Sequence, residues 1–262
     1  MMARTLAVNG AKVYITGRTK EKLDRVVETF GKDVPGKLIP VTCDITTKES
    51  VAELYNYIAE REQCLCILIN NAGISTGRLP MDNIRTAEDM KAKLFDTESS
   101  TFESWVDDYR TNTGAVYFVT AAFLPLLQRS TERFKDWSAT VINTASISGQ
   151  VETAQKHFSY NASKAATIHL SRMLAAEVAK AGLKIRINSI SPGVFPSEMT
   201  TKGKSGEDQR SALPAEKGGD FPAGRPGKDD EMASTVLFCV ANQYLNGQDI
   251  TVDGGATITM GR

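Results

Sequence analysis

The 262-residue sequence predicts an α/β fold in which a doubly wound parallel sheet carries helices on both faces. Three observations carry that expectation. Short β-branched runs alternate with longer helical patterns along the whole chain, the rhythm of repeated βαβ units. Several of the short runs are almost continuously apolar, Cys64-Leu65-Cys66-Ile67-Leu68-Ile69 above all, as strands are when both of their faces are covered. No linker divides the chain, so residues 1–262 read as a single domain, long enough to bury a full core.

In chain order, the β-branched and aromatic run Lys12–Thr16 predicts a strand, and the charged, amphipathic run Lys20–Phe30 a helix. The same alternation continues with a strand at Lys37–Thr42, a helix at Lys48–Arg61 and a strand at Cys64–Ile69. A long helix follows at Phe102–Leu127, then a strand at Thr140–Asn143 and a helix at Ser159–Ala181. The strand Lys184–Ile190, the helix Asp229–Ala241 and the strand Asp249–Val252 complete the set. Two stretches break the rhythm and read as binding loops, lids or disordered segments: Ser75–Thr101, polar and mixed in charge, and Thr200–Gly224, rich in Gly, Lys and Pro.

Composition excludes several function classes. Lys+Arg and Asp+Glu are both 31, and a net charge of zero argues against a nucleic-acid or polyanion surface. No apolar run approaches the ~18 residues of a membrane span. The N-terminus lacks the pattern of a signal peptide. Cys43, Cys64, Cys66 and Cys239 form no Cys-x-x-Cys pair, with no His nearby, so they read as reduced thiols of a cytoplasmic protein and not as metal ligands.

The chemistry gathers around Tyr160 and Lys164 in Tyr160-Asn161-Ala162-Ser163-Lys164. Positions i and i+4 of a helix share one face. Lowering a phenol from its usual pKa of about 10 to about 7–8 takes about 3–4 kcal/mol. One cation at ~4 Å in a medium of effective dielectric ~20 supplies that, which would make a proton donor for neutral pH. Ser146 ends the strand Thr140–Asn143, at the carboxyl edge where ligands of open parallel sheets sit, with Ser148 a competitor for the same role. Asn112, beside Gly114, stands in mid-helix although both residue types are poor helix formers, which predicts a local kink or a packing role.

Asn70-Asn71-Ala72-Gly73 after an apolar strand, Ser146, Tyr160 with Lys164, Ser191-Pro192-Gly193, Asp44, and Asp253-Gly254-Gly255 together resemble the short-chain dehydrogenase/reductase family over nearly the whole chain. The resemblance implies a Rossmann-type fold and a nicotinamide cofactor. It implies that Tyr160 is the general acid/base, that Lys164 lowers its pKa and holds the nicotinamide ribose, that Ser146 holds the substrate oxygen, and that Asn112 anchors a water of the proton relay. It further implies that Asp44 contacts the adenine, with Ile45 beside it. Asn71 and Gly73 would line the cofactor channel, and Phe195 and Ser197 meet the carboxamide. After Thr16-Gly17 stands Arg18 and no acid, which favours NADP over NAD, because a guanidinium can pair with a 2′-phosphate. The expected substrate is a small-molecule ketone or secondary alcohol. Family members commonly associate through the helices matching Phe102–Leu127 and Ser159–Ala181, so a homo-oligomer is expected.

The family's first strand and its glycine-rich turn have no counterpart ahead of Gly10-Ala11-Lys12-Val13, and the opening residues resemble the helix that follows that turn. The expectation is an N-terminally truncated fold with a strand missing between Lys12–Thr16 and Cys64–Ile69, marginal stability and weak cofactor affinity. Two explanations stay open: a mis-assigned or alternative start of an ordinary enzyme, or a catalytically inactive relic acting as a binding or oligomerisation partner.

Overall fold

The computed structural model describes residues 1–201, 206, 211–214, 216 and 221–260. Among the described residues six strands form: β1 (Lys12–Gly17), β2 (Lys37–Thr42), β3 (Ile67–Asn70), β4 (Ala139–Thr144), β5 (Ile185–Pro192) and β6 (Asp249–Val252). All pairings are parallel, and connections of this kind carry helices between the strands. The helices are α1 (Met2–Val8), α2 (Lys20–Phe30), α3 (Lys48–Ala59), α4 (Ala87–Leu94), α5 (Phe102–Tyr109), α6 (Ala115–Arg133), α7 (Phe158–Lys180), α8 (Asp229–Ala241) and α9 (Ala256–Met260).

The strands do not form one sheet. β1 pairs only with β2, while β3, β4, β5 and β6 form a separate four-stranded sheet in that order. No ladder joins β1 to β3, yet both belong to the same layer. Val13 of β1 with Ile67 and Ile69 of β3 pack on one core cluster, around Ile142, Ile190, Val236 and Cys239. Tyr14 of β1 and Leu68 of β3 pack on the other, around Phe123, Leu126, Val141 and Ile187. The sheet layer is thus interrupted between β1 and β3. The burial pattern follows: β4 and the first seven residues of β5 are almost wholly buried, whereas all of β3 and most of β1 are only half-buried. Amides of β1 and β3 facing away from β2 and β4 are therefore expected to exchange with solvent at least tenfold faster than those of β4 and β5; equal protection across all four strands would contradict an open layer.

Local chemistry accounts for two departures from the expected elements. The stretch expected as a loop, Ser75–Thr101, contains α4, because Thr86 and Asp89 form a capping box: Thr86 Oγ1 accepts from Asp89 N and Asp89 Oδ2 from Thr86 N. The long helix expected at Phe102–Leu127 is α5 and α6 joined by a π-helical turn at Arg110–Gly114, and Asn112 lies inside it, fully buried. Among the described residues no helix is long and apolar enough to cross a membrane.

Candidate active site

The carboxyl ends of β3 and β4, the π turn and the first two turns of α7 bring Asn112, Ser146, Tyr160 and Lys164 together. α7 presents a buried face of small hydroxyls, Ser163, Thr167 and Ser171, where an apolar stripe is usual. Those hydroxyls satisfy the neighbouring elements. Thr167 Oγ1 donates to the Asn112 carbonyl (2.7 Å), and Thr113 Oγ1 donates to the Ser163 carbonyl (3.0 Å). Ser171 Oγ accepts from Asn143 Nδ2, and Asn143 Oδ1 accepts from Asn70 Nδ2, so β3, β4 and α7 are tied by one polar chain.

The Asn112 side chain is fully engaged. Its Oδ1 accepts from Ile74 N (2.9 Å), and its Nδ2 donates to the Ile74 carbonyl and to Ser163 Oγ (2.9 Å each). The π turn thereby fixes the backbone just after Asn71-Ala72-Gly73. Gly73 sits against the site: a Cβ there would come 3.2 Å from both Asn112 Oδ1 and Lys164 Nζ.

Lys164 is nearly inaccessible, 3% exposed, and its Nζ donates to the Thr144 carbonyl at the end of β4 (2.7 Å). Burial depresses its pKa to about 8, with the Asp108 carboxylate pulling the other way. Nζ lies 5.8 Å from the centre of the Tyr160 ring. Tyr160 departs from the sequence expectation. Its phenol pKa is raised, first by burial, with Asp108 adding to the rise and a hydrogen bond with Ser146 opposing it. Lys164 contributes no lowering of that phenol here, and its ammonium donates to the Thr144 carbonyl. Ser146 is buried and accepts from Ser148 N (3.1 Å), capping a 3₁₀ turn at Ile147–Gly149. Ser148 Oγ points away, donating to Gln155 Oε1, which leaves Ser146 as the serine beside Tyr160.

The remaining expected positions follow the carboxyl ends of β1, β2, β3 and β5. Arg18 is exposed just past β1. Asp44, just past β2, accepts from Thr46 N (2.9 Å) and Thr46 Oγ1 (2.6 Å), and these bonds, ahead of the weaker pull of Arg18, hold its pKa below the usual carboxylate value. Ile45 packs on the core beside it. Asn71 is exposed and Gly73 half-buried. The Phe195 ring belongs to the core and covers Gly227, where a Cβ would come within 2.4 Å of it. Ser197 closes a turn on Thr200, its N donating to Thr200 Oγ1 (2.9 Å). Part of the segment Thr200–Gly224 lies outside the described residues.

One residue escaped the sequence reading. Asp108, on α5, is fully buried, and its carboxylate accepts from Ser159 Oγ (2.6 Å) and Thr76 N (3.1 Å). Its partners lie 51 and 32 positions away, so no local pattern announces them.

The chain matches the family model described as enoyl-(acyl carrier protein) reductase over residues 1–257. It is 34% identical to the short-chain dehydrogenase/reductase PhomF of Diaporthe leptostromiformis, covering 97% of this chain and 86% of that protein. It is 32% identical to the rhamnolipids biosynthesis 3-oxoacyl-[acyl-carrier-protein] reductase of Pseudomonas aeruginosa, covering 97% and 90%. Among solved structures, the Pseudomonas aeruginosa RhlG/NADP active-site complex superposes with a TM-score of 0.76 at 28% identity, covering 97% of this chain and 90% of that one. With a Rossmann-like parallel architecture and matches of this extent, the chain belongs to the short-chain dehydrogenase/reductase family of oxidoreductases.

Proposed function

We propose that the chain is an NADP-dependent oxidoreductase that interconverts a ketone and a secondary alcohol, with Tyr160 as the general acid/base. The observation that carries this reading is the convergence of Ser146, Tyr160 and Lys164 at the carboxyl edge of the sheet, with Asn112 bracing the floor.

The nicotinamide end of the cofactor fits the residues present. Of the three N–H donors of Lys164, one is used on Thr144 O among the described residues, and Thr144 Oγ1 is buried without a hydrogen-bond partner there. Gly73 keeps that space free of a side chain. Lys164 and Thr144 would hold the ribose hydroxyls, Asn71 and Gly73 the channel wall, Ser197 the carboxamide, Asp44 and Ile45 the adenine, and Arg18 a 2′-phosphate. The cofactor, when bound, supplies or accepts a hydride. Ser146 holds the substrate oxygen by its hydroxyl. Tyr160 delivers a proton to that oxygen in reduction and removes one in oxidation. Removal of a proton from the alcohol needs the phenolate, so the rate of oxidation is expected to rise with pH.

Two relatives lend support: one is named a 3-oxoacyl-[acyl-carrier-protein] reductase, and one solved structure is an NADP complex. A panel of simple ketones and 3-oxoacyl thioesters with NADPH therefore tests the reading; saturable, carbonyl-dependent NADPH oxidation supports it, and its absence across the panel refutes it. Arg18→Ala is expected to raise the KM for NADPH about fivefold, the equivalent of about 1 kcal/mol for an exposed ion pair, while KM for NADH stays unchanged. Equal effects on both cofactors would remove Arg18 from the phosphate site. Exposed Phe102, Trp105, Val106, Tyr109, Tyr117 and Phe118 on α5 and α6 support assembly as a homo-oligomer. The free cysteines fit a reducing, cytoplasmic setting. The inactive-relic reading finds no support in the comparisons, and the site retains the full set of expected catalytic side chains.

A further inference from the structure

We infer that Asp108 is a positioning residue that latches the start of the 75–86 loop to the first turn of the helix carrying Tyr160. The inference rests on the reading of Tyr160 as the proton-transfer group, and its geometry can be tested independently of that reading.

α5 is otherwise a surface helix, and Asp108 is its single buried residue. A carboxylate taken out of water is costly unless its oxygens are met by donors. Asp108 meets two from different elements. Oδ1 accepts from Thr76 N in the loop, and Oδ2 accepts from Ser159 Oγ, one residue ahead of Tyr160. The neighbours reinforce the same junction. Ser75 Oγ lies 3.1 Å from His157 Nδ1, Thr76 Oγ1 donates to the Ser104 carbonyl (2.9 Å), and Leu79 N donates to the Lys156 carbonyl (2.9 Å). Lys156 also pairs with Asp82 (2.6 Å). The loop is thus stitched to α5 and α7 beside the catalytic tyrosine, and Asp108 is the buried knot. Three titratable groups feel its charge: Tyr160, Lys164 and His157, all on or at the start of α7, with Arg78 of the loop opposing it at His157.

The latch has two consequences. It fixes the loop against the first turn of α7, one residue ahead of Tyr160, so its loss should raise the KM for the carbonyl substrate and leave NADPH affinity alone. Its charge favours the protonated phenol, so Asp108→Asn, which keeps the shape and one acceptor oxygen, should move the pH limb for alcohol oxidation to lower pH.

The experiment is hydrogen exchange on the full chain, joined to steady-state kinetics, for wild type, Asp108→Ala, Asp108→Asn and Ser159→Ala. Asp108→Ala is expected to speed exchange across residues 75–82 at least about tenfold, the equivalent of losing one charge-assisted hydrogen bond, with Asp108→Asn close to wild type and Ser159→Ala between them. The KM for the carbonyl substrate should rise about tenfold in Asp108→Ala and recover in Asp108→Asn, with the dissociation constant for NADPH unchanged. Wild-type exchange at 75–82 in Asp108→Ala would overturn the latch, and an oxidation limb unmoved in Asp108→Asn would overturn its charge effect on Tyr160. If Asp108→Ala does not fold, Ser159→Ala decides: wild-type exchange there overturns the latch. A wild-type chain that reduces no carbonyl refutes the proposed function, while the exchange result still decides the latch.

Discussion

Replacing Tyr160 by Phe is expected to lower turnover by about 10²–10⁴-fold with NADPH binding intact, the range over which a positioned general acid acts. The substitution removes one oxygen and keeps the ring. That ring is half-buried, with the His157 ring 6.5 Å away, so the site should hold its shape. The phenol hydroxyl is the group whose protonation burial and Asp108 together maintain, and Ser146 hydrogen-bonds it. Because Ser146 and Lys164 stay in place, the dissociation constant for NADPH, followed by its fluorescence, should change less than about twofold while kcat collapses. Retained turnover would assign the proton to another group.

Lys164→Met is expected to separate stability from activity, abolishing turnover while leaving the melting temperature at neutral pH equal to or above that of wild type. The depressed pKa of Lys164, about 8, sets this balance. The unfolded lysine titrates near 10.4, so keeping it charged in the fold costs about 3 kcal/mol. That penalty is complete below pH 8, where both states hold the proton. Between pH 8 and 10.4 the unfolded chain binds one more proton than the native chain, so this group adds stability as pH rises. Methionine fills the volume without the charge but leaves the Thr144 carbonyl without its donor, which costs about 1–3 kcal/mol. The two nearly cancel at pH 7. The advantage of the variant over wild type should therefore be largest below pH 8 and fall away as wild type sheds the proton. A variant that melts well below wild type at pH 7 and closes the gap at high pH would contradict the assigned cost of this buried ammonium.

Much of the fold was legible because local chemistry marks it. The bounds of β2, α2, α8 and β6 coincide with those read from the sequence, since periodicity and composition change sharply at each end. β3 begins at Ile67 and not Cys64 because Leu65 N turns to the Leu126 carbonyl of α6, a tertiary choice that no run of apolar residues reveals. Asn112 and Gly114 did signal a break in the long helix, and the π turn is that break. Only the hydroxyl face of α7 shows what stabilises it. α4 could have been found from Thr86 and Asp89, whose spacing is that of a capping box. The site was legible in its membership and less so in its electrostatics. Spacing places Tyr160 and Lys164 on one face, but it does not say that Lys164 reaches for Thr144 or that the charge of Asp108 is felt by both. Those facts come from packing between α5, β4 and α7.

The central claim is hydride transfer coupled to a proton from Tyr160. NADPH deuterated at C4 on the transferred face, incubated with the chain and whichever ketone it reduces best, tests it directly. Wild type is expected to give an alcohol carrying one deuterium on the carbinol carbon, and Tyr160→Phe the same product about 10²–10⁴-fold more slowly. Reduction without deuterium at that carbon, or full labelling by Tyr160→Phe at the wild-type rate, would contradict it.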